Sequence, residues 1–306
     1  MAQFRVGCVP YVNARPLVAV FDQPNEFVDV LYDVPSKLPA MLESGKVDAI
    51  LVSSVELLRR DDLWPASTVG IMSNGPVQSV RLLSKVPVGQ IKSLALDQSS
   101  MTSNMLAQVL LAEQGVFPTL DNLPPHGPNM LKDHDACVLI GDRGYEADGT
   151  GLVDIDLGQA WTEMTGLPFV WALWLGPIAS QVLTNILGYA FAASGFASLH
   201  RLIDTPQDSA RPHELEALRA ASESEQYRRD FVIRSAMSRS SWTYDQVESY
   251  LAHGVRFSSH RDYEALAKFA ELITKHGLCE AKLPHQEFFV GLHQEILDLV
   301  PQPVQR

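Results

Sequence analysis

The feature of this sequence that most restricts its fold is the alternation, through the first half of the chain, of short apolar runs with helical patterns. The apolar runs have the length of strands and cover residues 4–9, 28–34, 47–52, 68–72, 77–84, 94–96 and 136–140. Between the second and third runs, residues 35–45 begin with Pro35, carry apolar residues at helical spacing and end at Gly45. Strand, helix and strand in this order predict an α/β fold with a mostly parallel sheet.

The second half of the chain has a different pattern. Helices with charges on one face are predicted over residues 210–223, 225–238, 243–252, 260–276 and 285–300, and no strand is expected after about residue 200. Residues 117–128 are rich in proline and are predicted to form a surface loop. Residues 164–199 contain no Asp, Glu, Lys or Arg. Because glycine and proline interrupt this stretch, we predict a strand over 169–175 and a buried helix from about residue 178 rather than a membrane span.

Two extended segments that begin with proline, residues 76–84 and 168–175, are candidates for chain crossings between two lobes. The first lobe would then comprise residues 1–83 together with 172–306, including the C-terminal helices, and the second lobe residues 84–171. A cleft between two such lobes is a usual place for a small ligand.

Composition excludes several classes of protein. A net charge of −12 without a run of Lys or Arg argues against a nucleic acid or an anionic membrane as partner. Three distant cysteines, Cys8, Cys137 and Cys279, suggest neither a disulfide framework nor a zinc site, and no histidine spacing typical of a metal site is present. Glycine-rich nucleotide motifs and a GxSxG motif are also missing. The first strand follows Met1 almost directly, with no apolar leader, so a cytoplasmic location is expected.

Hydroxyl side chains are concentrated where one predicted strand gives way to a helix. Ser99, Ser100, Thr102 and Ser103 follow the strand at 94–96 and precede a helical run. Free backbone N–H groups and the helix dipole favour anions at such a place. The alternative is that Ser99 or Ser100 is only an N-cap.

Polar residues also follow the other predicted strands. Tyr11 and Asn13 come after the first strand, at the edge of an α/β sheet where ligands bind, although Asn13 also suits a turn before Pro16. Ser54 follows the strand ending at residue 52. Its neighbour Ser53 fits a capping box with Glu56.

Charged residues near these motifs are few. Asp142 follows the strand ending at residue 140 and is either a cleft carboxylate or a helix cap. Arg15 and Arg81 are the nearest cations, and the strand register decides where Arg81 points.

The order of the motifs resembles a known family. The runs at residues 11–17, 75–80, 99–103, 156–158 and 165–170, with Trp161, are similar to those of the chorismate dehydratase family of the futalosine route to menaquinone. The similarity extends over residues 4–175. Individually the motifs are short, and their combination carries the resemblance.

The resemblance implies an α/β, two-lobed periplasmic-binding-protein-like (type II) fold with a helical C-terminal part. It implies a cytoplasmic lyase that converts chorismate, a small dianion, to 3-[(1-carboxyvinyl)oxy]benzoate and water with no cofactor and no metal. The oligomeric state is left open, a homodimer included. A sister enzyme, 1,4-dihydroxy-6-naphthoate synthase, shares the fold but opens on a Cys-Pro-Asn-Asp-Thr type of motif. Tyr11-Val12-Asn13 stands here instead and favours the dehydratase.

The resemblance also implies roles for the site residues. Asn13 would hold the enolpyruvyl carboxylate of the substrate while that group takes the C3 proton. The charge that grows on the ring carboxylate would be stabilised by Ser79, Ser100, Thr102 and Ser103. Asp142 is the alternative base. Predicted substrate contacts are Tyr11, Ser54, Gly75, Pro76, Ser99, Ser100, Thr102, Ser103 and Asp142. A non-catalytic solute-binding protein for small anions, and a sensor whose C-terminal helices contact a partner, are the rival interpretations.

Overall fold

The strands of the protein form two sheets. The computed structural model describes residues 2–124, 126–196 and 212–282. Its strands are β1 (Phe4–Cys8), β2 (Val28–Tyr32), β3 (Ala49–Ser53), β4 (Trp64–Ser73), β5 (Arg81–Ser84), β6 (Ser93–Asp97), β7 (Thr119–Leu123), β8 (Ala136–Leu139), β9 (Val153–Asp156), β10 (Phe169–Gly176) and β11 (Val255–Phe257). The first sheet has the order β11-β4-β10-β3-β1-β2 and the second β7-β6-β8-β5-β9. β1 is parallel to β2 and β3, and β6 is parallel to β7 and β8. β10 is antiparallel to β3 and β4, β11 to β4, and β5 to β8 and β9, so both sheets are mixed and the prediction of a mostly parallel sheet is wrong.

Helices cover the sheets and continue to the C-terminal end of the described chain. They are α1 (Arg15–Val18), α2 (Leu38–Glu43), α3 (Val55–Arg59), α4 (Thr102–Ala112), α5 (Gly141–Glu146), α6 (Leu157–Thr165), α7 (Gln181–Ala193), α8 (Pro212–Met237), α9 (Tyr244–Gly254) and α10 (His260–Lys275). The helices predicted over 243–252 and 260–276 are confirmed, and those over 210–223 and 225–238 are a single helix, α8. The segment 285–300 lies outside the described residues. No helix within the described ranges is both long enough and apolar enough to cross a bilayer.

Three strands were not predicted, and all three lie at sheet edges. β7 lies in the segment 117–128, where a loop is expected. β9 lies where no strand is predicted. β11 contradicts the expectation of no strand after residue 200. Four of the five residues of β7 are exposed, and β11 has only three residues. An exposed strand such as β7 lacks the apolar pattern by which buried strands are predicted, and β9 and β11 are too short for their alternation to stand out.

The chain crosses between the sheets twice, and the two crossings are bound to each other. Residues 74–80 lead from β4 to β5, and α6 leads from β9 to β10. Asp156 is the N-cap of α6, and its carboxylate accepts from the backbone N–H groups of Gly158 and Gln159, at 2.9 and 3.0 Å. The same carboxylate accepts from the N–H groups of Val77 and Gln78, at 3.0 and 2.6 Å. One side chain therefore fixes both crossings.

Glycine is required where the crossings touch. A Cβ atom on Gly158 would lie 2.7 Å from the carbonyl oxygen of Gly75, which itself has a φ of +95°. The N–H of Gly75 donates to Thr162 Oγ1 of α6 at 3.0 Å.

The pairing of the strands assigns β5 to the second sheet and β10 to the first. The lobe limits at 83/84 and 171/172 stay a prediction, because strand pairing does not mark where a lobe ends.

Helix α8 is attached to α1 and β2 through a buried arginine of α1. Arg15 is 1% exposed. Its guanidinium donates to Tyr32 Oη of β2 at 2.8 Å, to Ser235 Oγ of α8 at 2.6 Å and to the Asp22 carboxylate, whereas its Nε has no hydrogen-bond partner within the described chain. A buried charge needs such partners, so Arg15 is a structural residue.

The Asp156 carboxylate yields a stability prediction. We expect Asp156→Ala to lower the free energy of unfolding by about 2 kcal/mol, since it removes a helix cap and leaves the N–H groups of Val77 and Gln78 without their acceptor. Asp156→Asn keeps one acceptor oxygen and should lose less. Urea unfolding followed by circular dichroism measures this, with the exposed Asp29→Ala as control, expected within about 0.5 kcal/mol of the parent. An Asp156→Ala midpoint equal to that of the control would contradict the assignment.

Candidate functional site

A cavity of about 90 Å³ lies between the two sheets. Its walls include the last residues of β3 and residues that follow β1, β6 and β8, which places it at the carboxyl ends of parallel strands of both sheets. Its floor is apolar and includes Leu51, Ile71 and Trp171. The predicted site residues that line it are Tyr11, Asn13, Ser79, Ser99, Ser100, Thr102 and Ser103.

The polar part of this wall is uncharged. Among the residues that the structure describes, no Lys, Arg, Asp or Glu lines the cavity. Its hydroxyl groups surround the start of α4, whose N-cap is Met101 and has no side-chain cap. The N-cap alternative for Ser99 and Ser100 is therefore wrong. An uncapped helix start is suited to an anion because its N–H groups and dipole face outward.

Asn13 lies in the turn that follows β1. Its Oδ1 atom is buried and has no hydrogen-bond partner within the described protein. Buried polar atoms without a partner are rare and costly, so such an atom in a cavity wall points to a polar group that arrives with a ligand.

Ser79 is held from two sides. Its Oγ accepts from the hydroxyl of Tyr250, at 2.7 Å, on α9. On the other side, Gly144 of α5 approaches so closely that a Cβ there would lie 2.1 Å from the Ser79 carbonyl oxygen. Because Ser79 Oγ accepts from Tyr250, its own proton is free to donate into the cavity.

Ser99 has the opposite polarity. Its Oγ lies 2.5 Å and its backbone N lies 2.8 Å from Asp97 Oδ1. Asp97 is 1% exposed, and its Oδ2 has no hydrogen-bond partner within the described chain. A carboxylate can only accept, so the Ser99 proton is directed at Asp97 and the hydroxyl offers the cavity its lone pairs. Ser99 is thus an acceptor and Ser79 a donor.

The remaining predicted contacts lie outside the cavity wall and stay predictions. Ser54 donates to the Val170 carbonyl oxygen at 2.6 Å, and Gly75 with Pro76 belongs to the first crossing. The Asp142 carboxyl is half-buried, does not line the cavity and is not a helix cap. Burial raises its pKa, and the neighbouring carboxylate of Glu146 adds to this rise.

One further prediction is wrong, and the direction of Arg81, which the sequence leaves open, is given by the structure. The capping box of Ser53 with Glu56 is wrong, because Ser54 is the N-cap of α3 and no side chain caps it. Arg81 pairs with Asp154, and one of its N–H groups donates to the carbonyl oxygens of Gly144 and Ala147 at 2.8 and 2.7 Å. Neither Arg81 nor Arg15 lines the cavity.

Nothing in the sequence indicates a role in the site for Tyr250 or for its neighbours. Tyr145 of α5, Trp242 and Tyr250 form a ring cluster, with centroids 4.2 to 5.4 Å apart. Tyr250 is 7% exposed and sits in an ordinary amphipathic pattern. Only its position next to Ser79 distinguishes it from a core residue.

Two solved structures with a similar fold are binding proteins. The ligand-binding component of an ABC-type import system from Staphylococcus aureus has a TM-score of 0.62 at 11% identity, with 97% of this chain and 99% of that chain covered. The periplasmic aliphatic sulphonate binding protein from Escherichia coli has a TM-score of 0.56 at 15% identity, covering 99% and 93%. These likenesses confirm the periplasmic-binding-protein-like fold.

Sequence comparisons identify the family. The sequence model of a family described as menaquinone biosynthesis matches residues 4–182. A chorismate dehydratase from Thermus thermophilus is 32% identical over 194 residues, which cover 57% of this chain and 70% of that protein. A chorismate dehydratase from Campylobacter jejuni is 33% identical over 175 residues, covering 54% and 64%. The chain therefore belongs to the menaquinone-biosynthesis family that includes the chorismate dehydratases, as its motifs predict.

Proposed function

We propose that the protein is a chorismate dehydratase, a lyase that converts chorismate to 3-[(1-carboxyvinyl)oxy]benzoate and water with the substrate bound between the two sheets. The observation that carries this proposal is the cavity itself. It brings the amide of Asn13, the donor hydroxyl of Ser79 and the uncapped start of α4 around one space. Hydroxyls, amides and a helix start can bind two carboxylates although the whole chain carries a net charge of −12.

The reaction needs help with one C–H bond. Loss of the C3 proton and the C4 hydroxyl as water leaves an aromatic ring, so the overall step is strongly downhill. The ring carboxylate acidifies C3 through the adjacent double bond, and charge therefore grows on that carboxylate when the proton leaves. Ser79, assisted by Ser100, Thr102 and Ser103 at the start of α4, is placed to stabilise it.

The proton acceptor in this proposal is the substrate. Within the described chain the cavity wall has no carboxylate or histidine to act as a base. The enolpyruvyl carboxylate takes the C3 proton and Asn13 holds that group in place, so that the proton transfer is intramolecular. The C4–O bond then breaks, and the leaving hydroxyl departs as water with that proton.

Ser99 is suited to bind the C4 hydroxyl, the group that the substrate loses. The C4 hydroxyl is the hydrogen-bond donor of chorismate, and Ser99 presents lone pairs because its proton is directed at Asp97. A site that recognises a hydroxyl discriminates strongly against a ligand without it. This supports a role for Ser99 in distinguishing substrate from product.

Turnover is the direct test. We expect the purified protein to convert chorismate, without added cofactor or metal, to a species lighter by one water with benzoate-like absorbance, as followed by chromatography and mass spectrometry. Tight binding without conversion would indicate a solute-binding protein or a sensor. If chorismate neither binds nor reacts, the proposed function is wrong and the substrate of the naphthoate synthase is the next to try.

Substitution of Asn13 or Ser79 tests the assigned roles. We expect Asn13→Ala and Ser79→Ala each to lower kcat by about 10²- to 10³-fold, since each removes a group that acts at the transition state. Steady-state kinetics measure this, with the exposed Asn25→Ala and Ser44→Ala as matched controls. An Asn13→Ala enzyme with unchanged kcat would remove Asn13 from the mechanism. If Asp142→Asn alone abolishes turnover, Asp142 is the base instead.

Ser99→Ala tests hydroxyl recognition. The variant loses one acceptor, so we expect the KM for chorismate to rise about tenfold. The product lacks the hydroxyl, and its inhibition constant should change less than about twofold, which makes it an internal control. Equal weakening of substrate and product would show that Ser99 binds a group that both share.

A further inference from the structure

We propose that Tyr250 is a positioning residue for Ser79: its hydroxyl donates to Ser79 Oγ and thereby aims the Ser79 proton into the cavity. The inference rests on the proposed function, because a directed Ser79 proton matters only if the cavity takes a carboxylate. Tyr250 lies on α9, beyond the residues 4–182 that the family model matches. It does not line the cavity itself.

The hydroxyl of Tyr250 limits where the Ser79 proton can point. Tyr250 Oη lies 2.7 Å from Ser79 Oγ, and the two residues are 7% and 1% exposed. The Ser79 backbone is held by its close contact with Gly144. The rotation of the Ser79 hydroxyl is then restricted by the donor at Oγ, because this donor occupies one lone pair and the proton cannot point toward it.

Tyr250 is the donor in this hydrogen bond, and Ser79 Oγ is the acceptor. Burial raises the pKa of the Tyr250 hydroxyl well above the ordinary value, so the group keeps the proton that it donates.

The ring of Tyr250 is held independently of its hydroxyl. Its centroid lies 5.4 Å from that of Tyr145 and 5.0 Å from that of Trp242. Trp242 is anchored in turn, since its Nε1 donates to Glu146 Oε1 at 2.7 Å. Aromatic packing of this kind survives the loss of a hydroxyl. Tyr250→Phe therefore removes the hydrogen bond and leaves the ring in place.

The test is a double-mutant cycle of Tyr250→Phe with Ser79→Ala. We expect Tyr250→Phe to lower kcat about 10- to 100-fold with a change in KM below about threefold, because a misdirected donor fails mainly at the transition state. Tyr244→Phe on the same helix removes a hydroxyl that donates to Asp230 Oδ1 at 2.5 Å, and it should keep the parent kcat. In the Ser79→Ala background, the Tyr250→Phe change should cost less than about twofold.

Each other result has a definite meaning. An active parent with unchanged kcat in Tyr250→Phe overturns the inference and leaves the proposed function intact. Equal losses from Tyr250→Phe with and without Ser79 overturn it as well, since a role through Ser79 requires coupling. A parent that does not convert chorismate overturns the proposed function and the inference with it. The kinetics are compared at a temperature at which circular dichroism shows all the variants folded, so a loss of stability does not imitate the effect.

Discussion

The carboxylate of Asp156 is the interaction on which the arrangement of the two sheets depends. It caps α6 and also accepts from the N–H groups of Val77 and Gln78, so one side chain joins the outgoing and the returning chain. Two sheets joined by two separate linkers would turn freely about each other. Because one carboxylate binds both crossings, the two crossings are held together. Ser79, one residue beyond Gln78, is held in position with them. The Asp-Leu-Gly motif at 156–158 is thus a structural motif that serves the site from outside.

Much of the fold could be predicted from the sequence, and the strands that were missed share a place at the sheet edges. Buried strands such as β3 are almost entirely apolar and are recognised from their composition. Of the edge strands, β7 is mostly exposed, whereas β9 and β11 have only four and three residues, too few for a pattern to stand out. The capping box at Ser53 failed for another reason. Local spacing allows it, but Ser53 is the last residue of β3 and pairs with Ala172 of β10, which is more than one hundred residues away in the sequence.

The features of the site also divide into those that the sequence predicts and those that it does not. Residues that follow strands, such as Asn13 and Ser99, were predictable because chain order fixes which strand ends share an edge. The polarity of a hydroxyl was not, since it depends on its partner: Tyr250 for Ser79, and the Asp97 carboxylate for Ser99. Tyr250 reaches the site only through the packing of α9. No residue near it in sequence marks it as more than a member of the core.

In the proposed function the cavity holds a small anion without a cation in its described wall, so fixed dipoles must attract the anion instead. Such dipoles need accurate placement, because a neutral donor that turns away contributes nothing, whereas an arginine still attracts from a distance. The close contact between Gly144 and the Ser79 carbonyl oxygen belongs to this requirement, since at 2.1 Å no larger residue fits without displacing the serine. Gly144 can therefore serve as a marker in distant relatives: where an alignment shows another residue at this position, the segment that carries the serine must follow a different path, and the chain should not be assigned the same chemistry from its serine alone.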